Sequence, residues 1–252
     1  MPAETDHNSG DELALLVDFL KDAGGQAFAG ETEPSMDSLR EIHQQVARFH
    51  LSYKFAADAM LTRLNTLREE FELTHDYSLF ENVSSRQKSV ESLLQKVSRI
   101  DCPPTISDIR DRIRDIAGIR VICVSTSDAY WIGDMLISAP DVEIVEIKDY
   151  ISDPKSNGYR SLHLVVRVPA YLSDRVEMTY VEVQVRTVAM DLWASVEHKV
   201  YYKSHKSVPD ELLAELRDAA GVAAQLDHTM SRLQTEIGSV EDIAPSVTDG
   251  IG

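Results

Sequence analysis

The stretch YVEVQVRT, residues 180–187, alternates valines with polar side chains. Successive side chains of a β-strand point to opposite faces of the sheet, so one face of this strand is predicted to carry only valine. The other face carries Glu182, Gln184 and Arg186 in a row. A solvated sheet face would explain this pattern, and so would the floor of a site for a charged substrate.

The stretch SLHLVVRV, residues 161–168, alternates in the same way and places Ser161 and His163 on its polar face. If the two strands are neighbours, His163 shares a face with Glu182. Upstream, Asp115 precedes the apolar stretch GIRVICV, and its carboxylate could converge with Glu182 on Mg²⁺, which takes few protein carboxylates and completes its shell with water and substrate phosphates. Such a metal, with cations and a base, is what phosphoryl-type transfer requires.

Cations for such a reaction are present upstream in SSRQKSVES, which supplies Arg86, Lys88 and Ser92. The spacing of four between Lys88 and Ser92 predicts that both lie on one face of a helix. The planar guanidinium of Arg86 can stack on a base or bind phosphate. The sequence contains no Walker A motif, so we expect side chains rather than a glycine-rich loop to hold the phosphates.

Further candidates surround the loop DPKSNGYR, residues 153–160. Proline, asparagine and glycine together predict a loop here. Lys148 precedes it, and Lys155 and Tyr159 lie within it, so the loop could bring cations to phosphates and an aromatic ring to a second base. Tyr159 could equally be a structural residue of an Asn-Gly-Tyr turn.

Other interpretations of these residues stay open from the sequence. Asp115 could simply pair with an arginine of the run at 110–114, and a lone histidine such as His163 is more often structural than catalytic. The pair His75-Asp76 resembles the metal-binding pair of one phosphohydrolase superfamily, but it ends a predicted helix without the further ligands expected there. The residues alone therefore indicate an Mg²⁺-dependent nucleotide enzyme.

Charge and composition narrow the class of protein. Of the chain's 25 basic and 42 acidic side chains, 17 of each lie in residues 86–206, which leaves 8 basic and 25 acidic elsewhere. This net acidity argues against DNA binding, which needs a basic footprint. No run approaches the roughly 20 apolar residues of a membrane span. With two cysteines and an acidic N-terminus unlike a signal peptide, we expect a cytoplasmic protein.

Long amphipathic helices are predicted on both sides of a mixed α/β core. Apolar residues recur every three or four positions over 39–71, and a heptad runs from Leu212 to Ile237. The two stripes could mediate assembly, or pack on each other and on the sheet. The predicted organisation is an acidic, partly disordered extension at 1–35, a core at 36–206, a helical oligomerisation region at 207–240 and a disordered tail at 241–252.

Four strings in order carry a family resemblance: SRQKSVESLLQKV, DIAGIRVIC, KDYISDPKSNGYRSLHLVV and EVQVRTVAMDLWASVEHKVYYK. Over residues 40–235 the chain resembles a small alarmone synthetase, the stand-alone RelA/SpoT-type (p)ppGpp synthetase. The resemblance implies an α/β (α+β) fold with a mixed sheet flanked by helices, similar to nucleotidyltransferases. It also implies a GTP pyrophosphokinase without hydrolase activity, which moves the β,γ-pyrophosphate of ATP to the 3′-hydroxyl of GDP or GTP and releases AMP.

The resemblance also implies individual roles. Arg86 and Arg120 would sandwich the adenine of ATP, and Lys88 and Ser92 would hold its phosphates. The residues expected to hold Mg²⁺ are the catalytic pair Asp115 and Glu182, of which Glu182 would also take the proton of the acceptor hydroxyl. In the acceptor site, Tyr159 would stack on guanine while the phosphates or polar edge contact Lys148, Lys155, His163 and Gln184.

One departure from the family pattern concerns the acceptor. An asparagine is common where Asp191 stands, and an acid facing the acceptor would disfavour a longer phosphate chain. The sequence therefore predicts a preference for GDP or GMP over GTP. Expected partners are ATP and guanine nucleotides, a homotetramer by resemblance, and alarmone or single-stranded RNA as regulators. A degenerate alarmone- or RNA-binding module and a pyrophosphate-releasing nucleotidyltransferase remain as alternatives.

Overall fold

The computed structural model describes residues 36–203 and 208–241. The predicted 1–35 extension and nearly all of the 241–252 tail lie outside these residues. The helices are α1 (Met36–Thr74), α2 (Val90–Arg99), α3 (Ile106–Arg112), α4 (Thr126–Ile137), α5 (Val188–Lys203) and α6 (Asp210–Glu241). The strands are β1 (Asn82–Gln87), β2 (Ala117–Cys123), β3 (Glu143–Asp149), β4 (Leu162–Tyr171) and β5 (Val176–Thr187).

The five strands form one mixed sheet in the order β1-β2-β5-β4-β3. Only the β2–β5 pair is parallel, and the other three pairs are antiparallel. This confirms the predicted mixed α/β fold. β5 lies at the centre of the sheet, so its polar face has neighbours on both sides.

The apolar face of the sheet is covered by α1. Val181, Val183 and Val185 are completely buried, as the alternation in β5 predicts. α1 packs across β1, β2, β4 and β5. Its buried stripe consists of Val46, Phe49, Tyr53, Ala56, Met60, Leu64 and Phe71. The stripe of this long helix is therefore used inside the domain, because burying its apolar side chains against the sheet removes them from water.

The heptad of α6 behaves differently. α6 packs on α5 and α4, yet only Leu216 of its leucines is buried, whereas 47% of Leu226 and 39% of Leu233 are exposed. Apart from Leu216, buried side chains of α6 such as Ala220 and Asp227 lie off the heptad. Most of the predicted stripe thus faces outward.

The segment around Lys88 differs from the prediction. The helix predicted over residues 86–99 begins only at Val90, and Arg86 belongs to β1. Ser89 caps the helix, since its side chain accepts the backbone N–H of Ser92 at 3.3 Å. The assumption that Lys88 and Ser92 share a helix face is therefore wrong, because Lys88 lies before the helix and its backbone N–H continues the sheet by bonding to the carbonyl of Ile116.

The boundaries of the other helices and strands differ less from the prediction. β4 and β5 are longer than predicted because a tight connection joins them, in which the Leu172 N–H bonds to the Arg175 carbonyl. Thr187 caps α5 as predicted, since its hydroxyl accepts the Met190 N–H at 3.1 Å. In the described part of the chain, no helix is long and apolar enough to cross a membrane.

Candidate active site

The polar face of the sheet brings the predicted side chains together in two rows. Register between neighbouring strands sets which residues lie side by side. The first row is Ser84, Arg120, Gln184, His163 and Lys148. The second row is Arg86, Gly118, Glu182, Val165 and Glu146. The central strand therefore contributes Glu182 and Gln184, with the predicted ATP residues on one side and acceptor residues on the other.

Asp115 lies just before β2 and is held by two ammonium groups. Lys88 Nζ donates to its Oδ2 at 2.9 Å, and Lys96 Nζ donates to Oδ1 at 2.7 Å. Burial by itself would raise the pKa of Asp115, but the hydrogen bonds from Lys96 and Lys88 outweigh it and lower the pKa. The alternative that Asp115 pairs with an arginine of the 110–114 run is not what the structure shows.

Lys96 is a site residue that the sequence analysis missed. It follows Ser92 by four residues on α2, so both lie on the same face of that helix. This spacing was a signal available in the sequence. Two ammonium groups on one carboxylate leave local positive charge that a bound polyphosphate could use.

Glu182 is oriented by two neighbours. Gln184 Nε2 donates to its Oε2 at 2.8 Å, and His163 Nδ1 lies 3.0 Å from its Oε1. Burial would raise the pKa of Glu182, but the hydrogen bonds from His163 and Gln184 outweigh it and hold the pKa below its usual value. Glu182 is therefore an ionised carboxylate whose two oxygens are fixed in direction.

A chain of hydrogen bonds continues from Glu182 to Tyr159. Because a carboxylate only accepts, His163 Nδ1 carries the hydrogen, and Nε2 on the other side of the ring lies 2.8 Å from the hydroxyl of Tyr159. Burial raises the pKa of Tyr159, although Arg186 opposes this, so the hydroxyl keeps its hydrogen. Arg186 donates to the Tyr159 hydroxyl at 2.7 Å and to Gln184 Oε1 at 2.8 Å.

Asp191 lies against two guanidinium groups rather than free in the acceptor site. Arg186 NH1 donates to its Oδ1 at 3.0 Å, and Arg120 NH1 lies 3.4 Å from the same oxygen. Its charge is therefore balanced, and it contacts a predicted adenine-binding residue. This placement removes the physical argument for discrimination against GTP at Asp191.

The loop between β3 and β4 carries the remaining acceptor candidates. Lys155 Nζ lies 4.5 Å from the ring centre of Tyr150 and 4.7 Å from that of Tyr159, a double cation–π contact. Asn157 Oδ1 accepts the Tyr159 N–H at 3.1 Å, and its Nδ2 donates to Glu197 Oε1 of α5 at 3.0 Å. The backbone of Tyr159 is thus linked through Asn157 to Glu197, a carboxylate that the sequence analysis did not identify.

Cavities of different size lie along the polar face of the sheet. One of about 510 Å³ is lined by Lys96, Asp111, Arg112, Arg114, Asp115, Glu146, Lys148, Val165 and Glu182. One of about 330 Å³ is lined by Arg86, Arg120, Tyr159, Gln184, Arg186, Ala194, Ser195, Glu197, His198 and Lys199. A smaller one of about 130 Å³ contains Arg86, Lys88, Asp115, Gly118, Ile119, Arg120, Glu182 and Gln184. Asp115 and Glu182 share the first and third, which fits a substrate that spans them.

The paired carboxylates suit Mg²⁺. Within residues 36–203 and 208–241, no group of three or more His, Cys, Asp or Glu side chains is placed to hold a metal. Mg²⁺ commonly takes one or two carboxylates and completes its octahedron with waters and phosphates, so Asp115 and Glu182, which line the same two cavities, are candidates to hold it. His75, which the sequence analysis compared with a metal-binding histidine of another enzyme class, stacks on Phe71 with 3.9 Å between the ring centres.

Comparison with known proteins gives the family of this chain. A family model described as a region found in RelA/SpoT proteins matches residues 85–207. The GTP pyrophosphokinase YwaC of Bacillus subtilis is 43% identical over 202 residues, covering 80% of this chain and 96% of that protein. The B. subtilis GTP pyrophosphokinase YjbM is 34% identical over 77% of this chain and 90% of that protein.

Solved structures of small alarmone synthetases are also similar to this chain. Small alarmone synthetase 2 from B. subtilis has a TM-score of 0.68, covering 74% of this chain and 97% of that chain. Small alarmone synthetase 1 from B. subtilis, bound to its product pppGpp, has a TM-score of 0.71, covering 77% and 98%. Fold, site and relatives together define a nucleotide pyrophosphokinase. Within that class, the chain belongs to the RelA/SpoT family, with small alarmone synthetases as its matched relatives.

Proposed function

We propose that this protein transfers the β,γ-pyrophosphate of ATP to the 3′-hydroxyl of GDP or GTP, forming (p)ppGpp and AMP. The observation that carries the proposal is the fixed carboxylate of Glu182, held by His163 and Gln184 beside cavities it shares with Asp115. Relatives support the two substrates: one B. subtilis synthetase structure holds pppGpp and another holds the ATP analogue AMPCPP.

The ATP side of the site is proposed to be the β1–β2 edge. Arg86 and Arg120 line two common cavities there and would stack on adenine. Lys88, Lys96 and Ser92 would hold the phosphates, and the lysines would neutralise charge that develops during transfer. Asp191 would keep the Arg120 guanidinium in place through its 3.4 Å contact.

The chemistry is proposed to centre on Glu182. Asp115 and Glu182 would hold Mg²⁺, whose contribution is to neutralise phosphate charge and favour the alkoxide form of the acceptor hydroxyl. Glu182 would accept the proton of the 3′-hydroxyl, and His163 would keep its carboxylate directed at that hydroxyl. Since pyrophosphoryl transfer depends mainly on positioning and charge neutralisation, a rigid hydrogen-bonded base suits it.

The acceptor side is proposed to lie between β4, β3 and the loop, with Tyr159 stacking on guanine. Lys148, Lys155, His163 and Gln184 would contact the phosphates or polar edge. Lys155 would leave its place over the tyrosine rings to reach a phosphate. GMP is a further acceptor to compare with GDP and GTP, because the balanced charge of Asp191 gives no reason to exclude any of them.

Glu197 is predicted to recognise the guanine base of the acceptor by hydrogen bonding. A carboxylate accepts from both N1–H and N2–H₂ of guanine, whereas a glutamine side chain could accept N1–H and donate to the O2 oxygen of xanthine. In Glu197→Gln, we expect kcat/KM for GDP to fall on the order of a hundredfold and xanthosine diphosphate to become an acceptor, as polar mismatches cost this much. Steady-state kinetics with both acceptors checks this, with exposed Glu211→Gln as the control. Unchanged selectivity would reject the role.

The activity itself is tested by product analysis. Purified protein is mixed with Mg²⁺, labelled ATP and GMP, GDP or GTP, and nucleotides are separated by anion-exchange chromatography. The proposal predicts AMP and a 3′-pyrophosphorylated guanine nucleotide in equal amounts. Release of pyrophosphate would indicate nucleotidyl transfer instead, and unchanged nucleotides would favour a binding module.

Assembly through α6 is proposed from its exposed apolar stripe, and a tetramer is the expected state. Leu226→Glu with Leu233→Glu should lower the mass measured by light scattering, because charges would face the partner helix. Gln225→Glu, exposed on the same helix, adds charge off the stripe and should leave the mass unchanged. A wild-type monomer at micromolar concentration would contradict this.

Regulation and compartment complete the proposal. Alarmone and single-stranded RNA are the candidate regulators, to be tested by adding each to the product assay. The cytoplasm is the proposed compartment, and the two free, buried cysteines are consistent with a reducing environment.

A further inference from the structure

A small apolar cluster connects α6 to the acceptor loop. Trp193 and Ala194 of α5 are buried against Leu216 and Ala220 of α6. Tyr159, the proposed guanine-stacking residue, packs against the same cluster, with 6.5 Å between its ring centre and that of Trp193. The hydroxyl of Tyr159 therefore contacts His163 and Arg186 of the candidate site, while its ring packs against the α5–α6 junction.

A hydrogen bond fixes the two helices within this cluster. The indole Nε1–H of Trp193 donates to the backbone carbonyl of Leu216 at 2.7 Å, in a buried position. Indole has this one donor and no acceptor, so the bond sets both the rotation of the ring and the position of α6 along α5. The large ring then forms a wall behind the acceptor loop.

The loop backbone lies directly on α6 at Gly158. This residue has φ of +92°, a conformation that side-chain-bearing residues rarely adopt, and a Cβ built on it would lie 2.5 Å from Ala220 Cβ. The neighbouring Asn157 is bonded to Glu197 of α5. The two residues that precede Tyr159 are therefore braced by α5 and α6 together.

The packing behind the loop is incomplete elsewhere. A cavity of about 260 Å³ is lined by loop residues Ser156 and Asn157 and by both helices. It is lined further by Trp193, Glu197, Tyr201, Leu213, Leu216 and Arg217. The contacts at Trp193 and Ala220 therefore carry much of the support that places Tyr159.

We propose that Trp193 and Ala220 are positioning residues for the acceptor guanine nucleotide, so that α6 forms part of the acceptor site although it contributes no ligand contact. The inference rests on the proposed function of the site. Displacing α6 by a small distance moves Tyr159 away from the base, which weakens acceptor binding. ATP is proposed to bind through Arg86 of β1 and Arg120 of β2, which lie on other elements than Tyr159, so its binding is expected to stay unchanged.

The test measures KM for GDP and for ATP separately, together with kcat, in Ala220→Leu. The larger side chain must push against the Gly158 backbone, and we expect the KM for GDP to rise on the order of tenfold or more, since small misplacements in a site have effects of this size. The KM for ATP should stay within about twofold. Ala214→Leu, on an exposed position of the same helix, is the matched control and should behave like the wild type.

A second variant keeps the test informative if Ala220→Leu fails to fold. Trp193→Phe retains a ring but removes the donor to Leu216, and it should raise the KM for GDP several-fold with the ATP value unchanged. Equal increases in both KM values, or no increase in either variant, would overturn the positioning role. An inactive wild-type protein would instead count against the proposed function, so the two failures are distinguishable.

Discussion

Replacing Glu182 with glutamine should lower kcat for pyrophosphoryl transfer by about 10³-fold or more while the protein stays folded. The amide cannot accept a proton from the acceptor hydroxyl and is a poor ligand for Mg²⁺. The new amide NH₂ group would also face a donor, either Gln184 Nε2 or His163 Nδ1, where Glu182 now presents an accepting oxygen. The remaining side-chain oxygen would therefore no longer be held in its present direction. Initial rates of AMP formation, with thermal unfolding to confirm the fold, measure this effect.

The matched control for Glu182 lies in the same strand. Glu177 of β5 is also a largely buried acid, but it pairs with Arg110 and Arg175 away from the candidate site. Glu177→Gln should keep turnover close to that of the wild type. Near-normal turnover in Glu182→Gln would contradict the assignment of the base.

Replacing Asp115 with asparagine should produce the second largest loss, on the order of 10²-fold or more in kcat/KM for Mg·ATP. The change removes one of the two proposed metal ligands and the partner of Lys88 and Lys96. We therefore expect a higher Mg²⁺ concentration for half-maximal rate, which a metal titration measures. An unchanged Mg²⁺ requirement would separate Asp115 from metal binding.

The control for Asp115 is an exposed acid of α4. Asp134→Asn removes the same charge from the surface and should leave both the rate and the Mg²⁺ requirement at wild-type values. A comparable loss in this variant would mean that net charge, and not the site, determines the effect.

Much of the fold followed from periodicity in the sequence. The alternation in β4 and β5 predicted a buried valine face, and the stripe in α1 is the one that covers it. Near Lys88 the helix pattern was misleading, because capping by Ser89 and pairing of β1 with β2 determine where the helix begins. Apolar spacing reports which side chains are buried, but hydrogen bonds to distant segments set the boundaries.

The site was predictable where its residues lie on neighbouring strands. Alternation, together with the assumption that the two strands are neighbours, placed His163 on the face of Glu182, and the structure joins them at 3.0 Å. Glu197 and Trp193 were missed because their contacts reach across from a helix, which no local pattern reveals. The argument about acceptor length left out the two arginine partners of Asp191 for the same reason, since they become its neighbours only in the folded chain.

The outward-facing heptad of α6 shows a further limit of sequence patterns. Its spacing correctly indicates an amphipathic helix, yet the side chains that contact the domain, such as Ala220 and Asp227, lie off the stripe. A heptad therefore does not tell which surface it meets. Here Ala220 of α6 contacts the acceptor loop, while most of the larger apolar residues of the helix, unlike Leu216, are exposed.

The most direct test of the central claim follows one labelled atom. ATP carrying a radioactive β-phosphate is incubated with the protein, Mg²⁺ and GDP, and the products are separated. Pyrophosphokinase activity predicts that the label moves to ppGpp together with the γ-phosphate, while unlabelled AMP appears in equal amount. Label that stays in ADP, or leaves as free pyrophosphate, would contradict the account.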